Sequence, residues 1–274
     1  MLTSALVPLL GDALPILSAL AAEVQADRTR LPVVFPGLPR KLGREATHTG
    51  RNNLGGALVD LGAFRRCDLG AAWLLASVAA TDAELLDLYA HGDIEERAML
   101  LRANHFLPVG PRTVQLFGEV QRTNIVLHLE AAACDGDLFV RTLGQPGFDA
   151  TTANKLLLKV AFLDLPLARL YGAASHANVE LSRMLQDLAT EREAAGRAVW
   201  RDTWRLIGMA PCPGSRARLV GGLEHGDDGV RLAAAEGLAA LRAPELLAFA
   251  RERVGREPRA PIAAILNRLL GQAP

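Results

Sequence analysis

The stretch Asn154–Arg205 reads NKLLLKVAFLDLPLARLYGAASHANVELSRMLQDLATEREAAGRAVWRDTWR, and its periodicity decides the fold. From Thr152 to Leu163 it is apolar on nearly every side, which marks a helix surrounded by other helices. Asp149 or Thr151 is placed to cap that helix and Pro166 to end it. A second helix opens at Ser175 and closes at Gly196, a residue suited to the left-handed turn after a helix. On it Leu181, Met184, Leu185 and Leu188 form a buried stripe at about 100° per residue, and the stripe runs on to Glu191 and Arg192. Charges in such a position are costly to bury unless they are paired and hydrogen-bonded, so partners are expected from neighbouring helices. A short third helix holds Trp200, Trp204 and Arg205.

Outward from this centre the chain keeps the same character. Half of the 274 residues are hydrophobic, yet only 5% are aromatic; Ala and Leu supply most of the hydrophobic residues, and both favour helices over sheets. The expected class is therefore all-α, a helical bundle or α-solenoid-like array of antiparallel helices. Residues 2–26 read as two short helices or one bent at Pro8 and Pro15. Pro32, Pro36 and Pro39 make residues 30–56 a long irregular loop in this reading, with Arg40 and Lys41 as a candidate anion site. Asp68, Thr81 and Asp93 sit where N-caps belong, and Thr81 with Glu84 and Asp93 with Glu96 spell capping boxes. One long helix is expected over 112–133. Pro211, Pro213 and Gly214 suggest a boundary, dividing the chain into residues 1–210 and 211–274. In the second part RLVGGLEHGDDGVRLAAAEGLAAL (Arg218–Leu241) looks like a HEAT-type helical hairpin, and Leu246–Val254 with Ile262–Leu270 like a degenerate second copy.

Thirty basic and thirty acidic residues balance, so no global field draws the chain to nucleic acid. Cys67, Cys134 and Cys212 lie far apart and outside any metal-ligand spacing, which predicts no metal and no cofactor. No Lys or Arg precedes Arg28, which argues against a secretory signal. No run of apolar residues looks long enough for the roughly 20 of a spanning helix, so the expected location is the cytoplasm, with peripheral membrane association left open. Glycine-rich phosphate loops, nucleophile elbows and HExxH motifs are all missing, so the balance leans against an enzyme. The candidates for chemistry are isolated polar residues. Lys155 and Lys159 form a basic seam on the central helix, with Asn154 on the face of Leu158 and Ala161, and Glu191 is the expected partner of Lys159. A buried Lys can act as base or nucleophile, but a structural ion pair is the favoured reading. Asn124 lies close to the face of Phe117, Val120 and Leu127, His128 follows one turn on, and Arg122 is free to point to either side. Lys159, Glu191 and His128 are thus the weak catalytic candidates.

These residues carry a resemblance. The run from Ala153 onward is similar to the EboA family, with Asn154, Lys159 and Phe162, then Asn178, Leu181 and Met184, then Glu191, Arg192 and Arg197, then Trp204 and Arg205 at matching spacing. Upstream, Arg122-Thr123-Asn124, Glu95-Glu96 and Pro39-Arg40 with Gly43 also resemble family segments, so the likeness spans about residues 39–204. Trp73 stands where members tend to have Arg, and Glu193 where an aromatic follows. The resemblance adds Asn178 and Arg197 to the polar set, giving Arg122, Asn124, Asn154, Lys159, Asn178, Glu191, Arg192 and Arg197 as a buried cluster or binding site. It implies a non-catalytic accessory or scaffold protein of a bacterial secondary-metabolite biosynthesis or export pathway, whose partners are other pathway proteins or a small metabolite. The alternative is a small-molecule binder or enzyme built on a Lys/Glu/Arg/His pocket, with Arg192 as an anion clamp.

Overall fold

Helices account for nearly all the regular structure in the computed structural model, which describes residues 2–271. The chain is all-α, and the one sheet among the described residues is an antiparallel hairpin of β1 (Arg51–Leu54) and β2 (Ala57–Asp60). Two compact units divide it. The first holds Met1–Ala153 and Ala168–Gly172, the second Asn154–Leu167 and Ala173–Pro274; Pro211, at the expected boundary, lies inside the second.

The first unit contains α1 (Leu2–Leu10), α2 (Leu14–Ala26), α3 (Leu31–Val34), α4 (Leu38–Leu42), α5 (Arg66–Ser77), α6 (Asp82–His91), α7 (Ile94–Asn104), α8 (Pro111–Arg122), α9 (Val126–Ala133) and α10 (Leu138–Thr142). It also contains the first turn of α11 (Ala150–Phe162). Helix α5 is central, packing on α1, α2, α4 and α7, and Gly70 permits this because a Cβ there would strike the Leu42 side chain. Phe148 stacks on Phe117 at 5.3 Å between ring centroids and meets Phe139 edge-on at 5.9 Å. The excursion 168–172 is tied to this unit by Arg169, whose guanidinium donates to Asp135 Oδ1 at 2.9 Å and to Glu130 Oε1 at 2.5 Å.

Several expectations for this half are corrected. The proline-rich stretch is no loop: Pro32, Pro36 and Pro39 each sit in the first turn of a short helical segment, where a missing N–H costs nothing, and the hairpin follows. Asp68 is not an N-cap. Arg65 occupies that position, and Asp68 is three residues in, accepting the Arg65 N–H at 2.9 Å. The long helix over 112–133 is two, because Thr123 turns extended and its Oγ1 accepts the Ile125 N–H at 3.1 Å, a local bond that competes with the helical ladder. Finally, the helical run Thr3–Ala26, 24 residues with a mean hydropathy of 1.8, does reach the length and apolarity of a spanning helix. Pro15 falls at the start of α2 and so leaves that run helical.

The second unit comprises the rest of α11, then α12 (Val179–Ala194), α13 (Asp202–Met209), α14 (Ser215–Leu223), α15 (Asp228–Leu241), α16 (Leu247–Val254) and α17 (Ala260–Leu269). Helices α14 with α15 and α16 with α17 pack as pairs. The tightest approach joins α13 to α15: a Cβ on Gly208 would strike the Gly237 backbone, and one on Gly237 the Trp204 carbonyl. Backbone-to-backbone contact of this kind admits only glycine. Leu181, Ser182, Leu185 and Ala189 form the buried face of α12. The expected stripe is therefore rotated: Met184 and Leu188 are half-buried.

Candidate functional site

Asn178, rather than Ser175, caps α12. Its Oδ1 accepts the Leu181 N–H at 2.9 Å, while Ser175 lies in a preceding turn of 3-10 helix, Ala173–His176. The same side chain clasps Asn154, which is 2% exposed on α11. Asn154 Nδ2 donates to Asn178 Oδ1 at 3.1 Å and Asn178 Nδ2 donates back to Asn154 Oδ1 at 2.8 Å. His176 Nε2 stands 3.1 Å from that same Asn154 oxygen. Two amides facing each other satisfy each other's donors and acceptors, which makes a buried polar pair tolerable.

At the other end of α11, Arg192 performs a related task. Its side chain is 11% exposed, and it donates to Phe162 O at 2.6 Å, Asp164 Oδ1 at 2.7 Å and Ala198 O at 2.9 Å. The carbonyls at a helix C-terminus lack intrahelical partners, and this guanidinium supplies one where Asp164 takes a left-handed conformation (φ 56°). Two further donors complete the turn. Trp200 Nε1 donates to Leu165 O at 2.9 Å, and the Leu167 N–H donates to Asp202 Oδ2 at 2.8 Å. Residues 162–167 are thus held by side chains from the end of α12 and the start of α13.

Against this braced turn lies a cavity of about 480 Å³ wholly within the second unit. Trp200 and Trp204 form apolar walls; Asp164, Arg197, Asp202, His225 and Asp227 bring the polar groups. Both indole N–H groups are engaged, since Trp204 Nε1 donates to Arg218 O at 3.1 Å. Asp227 caps α15 by accepting the Val230 N–H at 3.0 Å, and its own N–H donates to His225 Nδ1 at 3.0 Å. Burial raises the Asp202 carboxyl above the usual range against the lowering pull of the Leu167 N–H.

The expected polar set is only partly assembled. Asn154, Asn178 and Arg192 are where a structural cluster needs them, and Arg197 lies at the cavity rim, exposed. Lys159 is half-buried, its Nζ 5.3 Å from the centre of the Phe162 ring. Glu191 is exposed, one position off the buried face that Ala189 and Arg192 share; the expectation of its burial is corrected. Arg122 and Asn124 are also exposed in the first unit, Arg122 pairing with Glu119 at 2.6 Å. His128 is buried with Nε2 3.0 Å from Ile94 O. Burial lowers its pKa, so it is a neutral ring donating to a carbonyl. Arg40 and Lys41 are exposed in the last turn of α4, a helix end whose partial negative charge does not favour an anion.

Sequence reasoning missed Asp202, His225 and Asp227, and a further charge inside the first unit. Asp68 is fully buried and gripped by the Arg65 fork, with Nη2 to Oδ1 at 3.0 Å, while Arg65 Nη1 donates to Glu95 Oε2 at 2.6 Å. The one available signal was the WRDTW run at Trp200–Trp204, with an acid between two large aromatics. Among the described residues no group of three or more His, Cys, Asp or Glu could hold a metal ion. The Cys67 and Cys134 thiols are pushed up by burial to about 11 and about 12, out of reach of thiolate chemistry at neutral pH.

Compared with known proteins, residues 71–208 match the family described as Metabolite traffic protein EboA. This span includes Asn154, Asn178, Arg192 and the Trp200–Trp204 wall, and stops short of His225 and Asp227. No curated protein and no solved structure matches the chain.

Proposed function

Since the chain belongs to the EboA family, we propose that it is a non-catalytic accessory protein of metabolite traffic that holds a small molecule in the cavity of its second unit. In this reading it serves a bacterial secondary-metabolite production or export pathway from the cytoplasm, and its protein partners belong to that pathway. The observation that carries the proposal is the Trp200/Trp204 cavity on the turn 162–167. Its volume suits a small organic ligand, its walls are apolar, and its floor is immobilised by the bonds from Arg192, Trp200 and Asp202. A pre-formed cavity with a braced floor binds without first ordering itself. Against catalysis stand the individual candidates: His128 bonds a carbonyl and Glu191 points to solvent.

The test is retention. The purified chain is mixed with a small-molecule extract of its native cells, freed of unbound material by gel filtration, and its bound compounds identified by mass spectrometry. The wild type should retain a compound that Trp200→Ala releases. Equal retention by both, or chemical conversion of the retained compound, would remove the basis of the proposal.

A further inference from the structure

The charges around the cavity differ in how well they are already compensated, and the difference selects a ligand. Asp164 is paired with Arg192 at 2.7 Å and Glu193 with Arg218 at 2.8 Å. Asp227 serves as a helix cap and lies 3.6 Å from Arg201. Asp202 has no close ion pair: Arg205 and Arg201 act on it only at longer range and are directed to Glu236 and Asp227. It is half-buried, one oxygen accepts the Leu167 N–H, and the other has no hydrogen bond among the described residues. The cations stand in the opposite situation: Arg197 and Arg201 are exposed, where water compensates a guanidinium. A half-buried carboxylate with one hydrogen bond gains more from an incoming donor than carboxylates that are already paired. The walls agree, because tryptophan faces attract cations and flat rings and both indole N–H groups are turned to carbonyls.

We infer that the cavity takes an organic cation, a flat apolar body bearing a protonated nitrogen, with the nitrogen on Asp202 and the body between Trp200 and Trp204. This rests on the cavity being the binding site proposed above. The raised carboxyl of Asp202 is consistent with it, since a bound cation relieves the same burial that raises it.

Calorimetric titration with three probes of one shape tests the inference: naphthylmethylamine, naphthylmethanol and naphthoate. The amine should bind about tenfold or more tightly than the alcohol, a difference of about 1.4 kcal/mol, and naphthoate most weakly. Asp202→Asn keeps an acceptor for the Leu167 N–H and should abolish the preference. Arg197→Ala, at an exposed position away from the fold's contacts, should tighten the amine about twofold or more by removing a like charge, and so tests the inference even if Asp202→Asn fails to fold. Equal binding of amine and alcohol, a preference for naphthoate, or unchanged amine binding in Arg197→Ala would overturn the ligand class while leaving the cavity as a site. If none of the three binds the wild type, the cavity itself falls as the binding site.

Discussion

Replacing Arg192 by Met should destabilise the second unit by about 2–4 kcal/mol. Methionine keeps the apolar stem that packs along α12 and removes only the guanidinium, so the loss is of hydrogen bonds rather than of packing. Three acceptors are affected. Asp164 is 60% exposed and can turn to water, so its share is small. The carbonyls of Phe162 and Ala198 face a guanidinium that is itself nearly enclosed, and each loses its donor at 2.6 or 2.9 Å. Phe162 and Ala198 are themselves exposed residues, so water recovers part of the roughly 1–3 kcal/mol that an unsatisfied group costs; about 1–2 kcal/mol for each carbonyl gives the quoted range. Arg192→Lys should recover only part, because one ammonium cannot reproduce a planar fork that spans three acceptors. Urea unfolding is best followed by the fluorescence of Trp200 and Trp204 in a Trp73→Phe background, so that the signal comes from this unit alone. Glu191→Gln is the neighbouring control; it is exposed and should shift stability by no more than about 0.5 kcal/mol. If Glu191→Gln costs as much as Arg192→Met, the sequence-based pairing of a buried Glu191 was right after all and the placement of Arg192 as the keystone of this turn is refuted.

Asn178→Ala should cost about 1 kcal/mol for the lost cap and a further 1–3 kcal/mol, approximately, for the orphaned Asn154 amide, whereas Asn178→Asp, which keeps the cap, should lose less; thermal melts of the three chains would rank them. Acid should destabilise the first unit through His105. This ring is fully buried, and burial, reinforced by Arg141, lowers its pKa from 6.5 to about 4. A depressed histidine pKa means that the unfolded chain binds the proton first, so stability is complete above pH 6.5 and falls as pH drops toward 4, by about 3 kcal/mol in all at about 1.4 kcal/mol per unit. Urea midpoints at either end of that window should differ for the wild type and converge in His105→Gln; an unchanged slope in the variant would assign the acid sensitivity elsewhere. Gly237→Ala should lower the melting temperature of the second unit, at a cost of about 1–3 kcal/mol for forcing α13 off α15, while Gly221→Ala, with open space around its Cβ, should not.

How much was legible beforehand follows from the kind of interaction involved. The capping boxes at Thr81/Glu84 and Asp93/Glu96 were readable because both partners lie within one turn of the chain, and both form as written. Gly196 was readable as a helix stop for the same local reason, and it takes φ 65°. Asn154 and Arg192 were readable because their residue type conflicts with the apolar face on which they fall. Glu191 was misplaced because adjacent positions differ by only about 100° around a helix. A stripe drawn through Met184 and Leu188 points to it, whereas the actual face, through Leu185 and Ala189, passes it by.

By itself, then, the sequence determined the all-α class, most helix starts and stops, the family, and the residues whose polarity is at odds with their surroundings. Each of these is set by neighbours a few positions away or by a repeating pattern. Only the tertiary structure decided that Asn154 meets Asn178, that Arg192 reaches back 30 residues to the Phe162 carbonyl, and that Asp202 is left half-buried between two tryptophans beside a cavity. Those outcomes depend on how helices dock, and docking is governed by non-directional burial of apolar area. A pattern of apolar residues specifies that a face is covered without specifying by what. The polar partners are then chosen by whichever groups the docked helices bring within hydrogen-bonding distance.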